Sequence, residues 1–136
     1  MIRKASEKDL PFIYETLKET GTPWTQTGVS ESIKNDLVLV LEDTGVIIAK
    51  VAADECEILN FAVCREKRGQ GYGKELLDAL LKRAETQGAK TVFLDVRKTN
   101  ETAIYVYKNA GFQICGERKN FYHNPQEDAV LMKKGL

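Results

Sequence analysis

The strongest periodic signal along the chain is helical. Leu76, Leu77, Leu80, Leu81 and Ala84 recur at three- and four-residue spacing, with Glu75, Asp78, Lys82, Arg83 and Glu85 between them. That spacing predicts an amphipathic helix from about Lys74, closed by Gly88 just past its end. A second apolar face, Leu10, Ile13, Tyr14 and Leu17, follows Ser6 as N-cap, with Asp9 at the third helical position, and stops at Gly21-Thr22-Pro23. Residues 22–28 read as a loop before a short helix near Val29–Asn35. Strands are expected at Ile2–Ala5, Leu37–Glu42, Val46–Ala53, Cys56–Val63, Thr91–Val96, Phe112–Glu117 and Ala129–Met132, with a further helix over Thr102–Ala110. Leu37–Glu42 and Val46–Ala53 form a hairpin across Asp43-Thr44-Gly45, where Gly45 is expected to supply the positive φ of the turn. Residues 56–96 make a strand–helix–strand crossover, which implies parallel pairing. No internal repeat or low-complexity segment interrupts this single mixed α/β layer structure.

Between the strand at Cys56–Val63 and the strongest helix lies Arg68-Gly69-Gln70-Gly71-Tyr72-Gly73. Glycines at alternate positions allow a tight turn and leave backbone N–H groups unshielded by a Cβ. The helix that follows adds its own unpaired N–H groups and the positive end of its dipole. Arg65, Lys67, Arg68 and Lys74 surround the turn against the single Glu66, so a phosphorylated ligand is expected there. Two nucleotide-loop patterns fail. Gly73-Lys74 is followed by Glu75, which offers no hydroxyl to magnesium, and the glycine spacing differs from the dinucleotide fingerprint even though Asp95 lies near the expected acidic position.

The remaining composition narrows the class. The chain has 136 residues, with 20 basic and 20 acidic side chains and 43% hydrophobic content. That is the size of one domain, expected over residues 1–136, and its neutrality favours a small anionic ligand over nucleic acid. No apolar run reaches transmembrane length and Met1-Ile2-Arg3-Lys4 lacks a signal-peptide core, so no membrane association and a cytoplasmic location are expected. Cys56, Cys64 and Cys115 lack metal or disulfide spacing, and His123 is the one histidine. No metal is expected.

Arg68-Gly69-Gln70-Gly71-Tyr72-Gly73 resembles the Arg/Gln-x-x-Gly-x-Gly/Ala signature of the GNAT acetyltransferases. Asn60-Phe61-Ala62-Val63 resembles that family's fourth strand, and Asn100, Tyr107 and Gly111-Phe112 its downstream block. The match covers roughly residues 56–132. It implies a central mixed, mostly antiparallel sheet splayed between strands four and five, flanked by about four helices. Within the family, Leu94-Asp95-Val96-Arg97, Arg118-Lys119-Asn120-Phe121-Tyr122, Glu127-Asp128-Ala129 and Pro23-Trp24 are most similar to the branch that acetylates the N-terminal alanine of a ribosomal protein.

The resemblance implies acetyl-CoA as cosubstrate and a protein or peptide N-terminus, a ribosomal protein included, as acceptor. Its pyrophosphate would lie on the N–H groups of Gly69, Gln70, Gly71, Tyr72, Gly73 and Lys74, beside Arg68. Its pantetheine would pair with the backbone of Phe61, Ala62 and Val63, and Asn100 would contact CoA or cap the next helix. Strand alternation places Phe61 and Val63 on one side and Ala62 on the other. A peptide N–H there can also polarise the thioester carbonyl.

An α-amino group is neutral in about a tenth of molecules at pH 7, so a base adds a modest factor, here through water. By resemblance the base is Asp95, one methylene shorter than the family branch's Glu, with Glu57 as competitor; local ion pairing is the alternative role for Asp95. Tyr107 is the implied general acid, or otherwise a core tyrosine, and Tyr105 points elsewhere. Trp24, Glu57 and Tyr122 are candidate acceptor contacts. Trp24 is either an anchor or a lid on the core, and Phe121 and Tyr122 either close the peptide groove or pack beneath it. Lysine or polyamine acceptors and a non-catalytic acyl-CoA-binding module remain alternatives. The oligomeric expectation is a monomer or weak dimer.

Overall fold

The protein, described by a computed structural model over residues 1–20 and 24–136, is a seven-stranded sheet covered on both faces by helices. The strands are β1 (Ile2–Lys4), β2 (Leu37–Leu41), β3 (Gly45–Ala52), β4 (Glu55–Val63), β5 (Thr91–Arg97), β6 (Gln113–Tyr122) and β7 (Glu127–Gly135). The helices are α1 (Leu10–Lys18), α2 (Gln26–Asn35), α3 (Tyr72–Thr86) and α4 (Glu101–Asn109), with 3₁₀ turns at Glu7–Asp9 and Arg65–Lys67. Sheet order is β1-β2-β3-β4-β5-β7-β6, antiparallel except for the β4–β5 pair. The crossover through α3 accounts for that exception.

Both faces of β2 are buried, as its unbroken Leu-Val-Leu-Val run requires. Leu37 and Leu39 join Ile47, Ala49, Ile58, Leu94 and Met132 in the core beneath α3 and α4. Val38 and Val40 join Val46, Ile48 and Ala62 beneath α1 and α2. The predicted stripe of α3 buries Leu76, Leu77, Leu80 and Ala84 completely. Each leucine contributes roughly 1.5 to 3 kcal/mol by leaving water. Gly88, at φ +95°, ends the helix as expected.

Several boundaries differ from the sequence reading. The helix α2 starts at Gln26 rather than Val29, because Thr25 caps it by accepting the Gly28 N–H at 2.9 Å. The strands β6 and β7 run past their apolar segments through Tyr122 and from Glu127, since their mutual ladder holds polar residues in register. The expected helix stop at Gly21-Thr22-Pro23 lies outside the described residues. In the β2–β3 turn the left-handed residue is Asp43, at φ +54°, not Gly45. Asp tolerates that conformation through its short polar side chain. Gly45 pairs with Leu41 inside the ladder and is constrained instead by space: a Cβ there would lie 2.8 Å from the Ala62 carbonyl oxygen and 2.9 Å from Leu76 Cδ1.

The functional consequence of the sheet lies between β4 and β5. Only Glu55–Ile58 of β4 pair with β5, opposite Thr91–Leu94. Beyond that point β4 keeps its bonds to β3 while β5 follows β7. A bulge at Leu59 marks the divergence: Ala49 faces Ile58 and Ile48 faces Asn60, leaving one extra residue on β4. Bulges bend the strand that carries them. The sheet is therefore splayed between its fourth and fifth strands, with the start of α3 and the body of α4 at the opening.

Candidate active site

The glycine turn is built around two left-handed residues, Gly69 at φ +76° and Gly71 at φ +90°. Among the described residues, neither position has a neighbour within 4 Å of where a Cβ would stand. Gly71 is also the N-cap of α3, whose ladder begins when the Glu75 N–H reaches the Gly71 carbonyl at 3.2 Å. Among the described residues, no protein acceptor meets the N–H groups of residues 69–74. Arg68 ties this turn to the sheet: its Nε donates to the Val63 carbonyl oxygen at 2.9 Å, and its guanidinium lies 3.6 Å from Glu19. Gln70 presents only its backbone to the turn. Its side chain folds back so that Nε2 donates to the Glu66 carbonyl, and it does not line the groove.

The groove, about 470 Å³, runs from Lys67–Gly69 and Gly71–Lys74 along Phe61, Ala62 and Val63 to α4. Asn100 stands at its α4 end and caps that helix, accepting the Ala103 N–H at 3.1 Å. The groove also takes Thr102, Ala103 and Val106, which the sequence reading omitted; Ala103 lies four residues before Tyr107 and Val106 three after Ala103, so helical spacing points to both. Tyr107 closes this end at 8% exposure, its ring edge-on to Phe112 at 5.6 Å between centroids and tilted to Phe61 at 6.3 Å. Burial pushes its phenol well above the usual tyrosine range, with a smaller push from Tyr122. Among the described residues no protein group bonds its hydroxyl. Tyr105, two positions away, is 66% exposed.

On the opposite side of the parting strands lies a second recess of about 370 Å³, floored by Phe93 and Leu131 and edged by Lys50, Glu55, Glu57, Asp95 and Arg118. Glu57 stands opposite Phe93 in the parallel register and makes no ion pair among the described residues. Asp95 is two residues further along β5, and its Oδ1 accepts Arg118 Nε at 2.9 Å. That pair joins residues 23 apart in sequence and gave no signal in a linear reading. Tyr122, at the end of β6, lines neither recess and packs against Phe121 and Arg97. Burial and the Asp95 charge push its phenol up to about 12, partly offset by Arg97, whose guanidinium lies 4.6 Å above the ring. Arg97 further donates to the carbonyl oxygens of Pro125 and His123 and pairs with Glu127, which accepts the Thr99 N–H at 2.7 Å. The β6–β7 turn is thus pinned to the end of β5. Trp24 lies away from both cavities, half-buried against the α1–α2 core.

A basic glycine turn at a helix start, an unpaired strand edge and a buried tyrosine at the far end together define an acyl-CoA-type transferase site. The chain belongs to the GNAT acetyltransferase family, whose model matches residues 8–112, and is an N-acetyltransferase. It is similar to the [ribosomal protein bS18]-alanine N-acetyltransferase of Escherichia coli, 33% identical over 132 residues that span 91% of this chain and 89% of that protein. A crystal structure of the ribosomal-protein-S18-alanine N-acetyltransferase from E. coli superimposes with a TM-score of 0.89 at 29% identity, covering 99% of this chain and 92% of the other. A GNAT acetyltransferase from Elizabethkingia anophelis with acetyl-CoA bound shares the fold, with a TM-score of 0.82, 20% identity, and coverage of 100% and 97%.

Proposed function

We propose that residues 1–136 form one acetyltransferase domain that moves the acetyl group of acetyl-CoA to the α-amino group of a protein N-terminus. The observation carrying this reading is the pair of recesses on opposite sides of the β4–β5 parting, one closed by Tyr107 and the other edged by Asp95. The relative from E. coli named for bS18-alanine acetylation supports the acceptor class, and the bound acetyl-CoA of the E. anophelis neighbour supports the cosubstrate.

The residues fit acetyl-CoA on their own chemistry. The free N–H groups of residues 69–74, the α3 dipole, Arg68 and Lys74 would hold its pyrophosphate, the β4 edge its pantetheine, and Asn100 its remaining length. Gln70 would contribute through its backbone N–H alone. Bound there, acetyl-CoA supplies an activated acyl carbon: a C–N bond forms, the C–S bond breaks, the amine loses one proton and the thiolate gains one. Asp95, whose Oδ2 has no partner among the described residues, would receive the amine proton through water. Tyr107 would donate to the leaving sulfur. Burial keeps its hydroxyl protonated; because a thiol titrates near 8.5, Tyr107 would hydrogen-bond the thiolate while keeping its own proton, and the sulfur would take its proton from solvent, which receives the one released by the amine. Tyr122, beneath Arg97, would order the incoming peptide.

The base assignment is open to direct test. Asp95→Ala should lower kcat on an alanine-first peptide by about ten- to a hundredfold, less than a typical general base because a fraction of the amine is already neutral. Asp95→Glu should hold or raise the rate, and Glu57→Ala should change it less than about threefold. A silent Asp95→Ala beside a damaging Glu57→Ala, measured by steady-state kinetics, would transfer the role to β4.

A further inference from the structure

After the bulge, β4 turns one edge to β3 and the other to the groove. The Cys64 N–H reaches the Thr44 carbonyl on the β3 side, so the N–H groups of Phe61 and Val63 face the groove. The Phe61 N–H is already engaged there. Asn60, one residue earlier, accepts it on Oδ1 at 2.7 Å. This bond fixes the orientation of the carboxamide, because an NH₂ group cannot accept. The other end of the same group, Nδ2, is buried and meets no acceptor among the described residues. No other buried side-chain nitrogen or oxygen among the described residues is left so. Asn60 owes its place to the bulge, which sets it opposite Ile48, on the face covered by α1 and α2, while Phe61 packs on the opposite face.

A buried donor without an acceptor is costly, and native proteins retain one where a ligand or a function relieves it. Here the unpaired donor is on the very side chain that occupies a backbone N–H of the groove. We propose that Asn60 reads the acetyl group. In the free protein its Oδ1 stands in for a ligand on the Phe61 N–H. With acetyl-CoA in the groove, the thioester carbonyl oxygen takes that N–H, the carboxamide turns, and Nδ2 becomes a second donor to the same oxygen. CoA without its acetyl group has no carbonyl to offer, so Oδ1 returns to Phe61. The residue thereby favours substrate over product, an inference that rests on the acetyl-CoA reading of the groove.

Calorimetric titration of CoA and acetyl-CoA into the wild type, Asn60→Ala and Asn60→Asp tests this. Asn60→Ala should weaken acetyl-CoA about five- to tenfold, the value of one neutral hydrogen bond, while CoA affinity changes less than about twofold. Its melting temperature should be unchanged or higher, since the unpaired donor is gone. Asn60→Asp keeps the shape and the acceptor but lacks the donor, so it should lose the preference as well, and it serves if the alanine variant fails to fold. An acetyl-CoA to CoA affinity ratio equal to wild type in both variants would overturn the proposal and leave Asn60 a role in strand geometry alone. A wild type that binds CoA but does not prefer acetyl-CoA would overturn it too. If the wild type binds neither, the groove reading falls first and this inference with it.

Discussion

Replacing Tyr107 with phenylalanine is expected to lower kcat by about 10² to 10³-fold, or roughly 3 to 4 kcal/mol of barrier. The affinity for acetyl-CoA should stay near wild type. The substitution keeps the ring that packs against Phe61 and Phe112 and removes only a hydroxyl that makes no bond within the described protein, so stability should change by less than about 1 kcal/mol. The pH profile separates the roles further. The acid limb belongs to the acceptor amine, with a pKa of about 7.7 to 8, and should not move in the variant. A rate loss below about threefold, which lies outside the range of acid catalysis, would make Tyr107 a core residue that merely borders the groove.

Gly71→Glu should weaken acetyl-CoA on the order of a hundredfold or more, because it sets a carboxylate on the positive end of α3 where the pyrophosphate belongs. The chain should still fold. A Cβ at Gly71 meets nothing within 4 Å among the described residues, and the left-handed φ of +90° costs a non-glycine residue about 1 to 2 kcal/mol, a fraction of ordinary domain stability. Gly71→Ala carries the strain without the charge and separates the two. It should lower the melting temperature by a similar few degrees yet bind far better than the glutamate variant. Equal CoA affinity in wild type and Gly71→Glu, by calorimetry, would show that the phosphates lie elsewhere.

What the linear sequence revealed was whatever depends on neighbours within about one helical turn. The α3 stripe, the glycines before it, the Asn100 cap and the opposed orientations of Tyr105 and Tyr107 all follow from local spacing, and the structure has them where spacing put them. Errors arose where a residue answers to something distant. Gly45 was given a turn's positive φ, but Asp43 takes it and Gly45 is held small by the Ala62 carbonyl and Leu76. Arg118 on Asp95 and Arg97 above Tyr122 cross 23 and 25 residues of sequence and depend on the order β5-β7-β6, which no periodicity encodes. Asn60 was legible only as part of a strand motif. Its partner and its unpaired donor come from a one-residue mismatch between β3 and β4 that neither strand's own pattern announces.

The acceptor is tested most directly by thiol release from acetyl-CoA by the purified protein, with the acetylated product located by mass spectrometry. The panel would pair peptides bearing a free N-terminal alanine or another first residue with the same peptides blocked at the N-terminus and carrying a free lysine, together with polyamines. Turnover confined to free N-termini, with the acetyl group on the α-nitrogen, is the expected result. Equal or greater turnover on blocked lysine peptides or polyamines would contradict α-amino transfer while leaving the family and its fold intact.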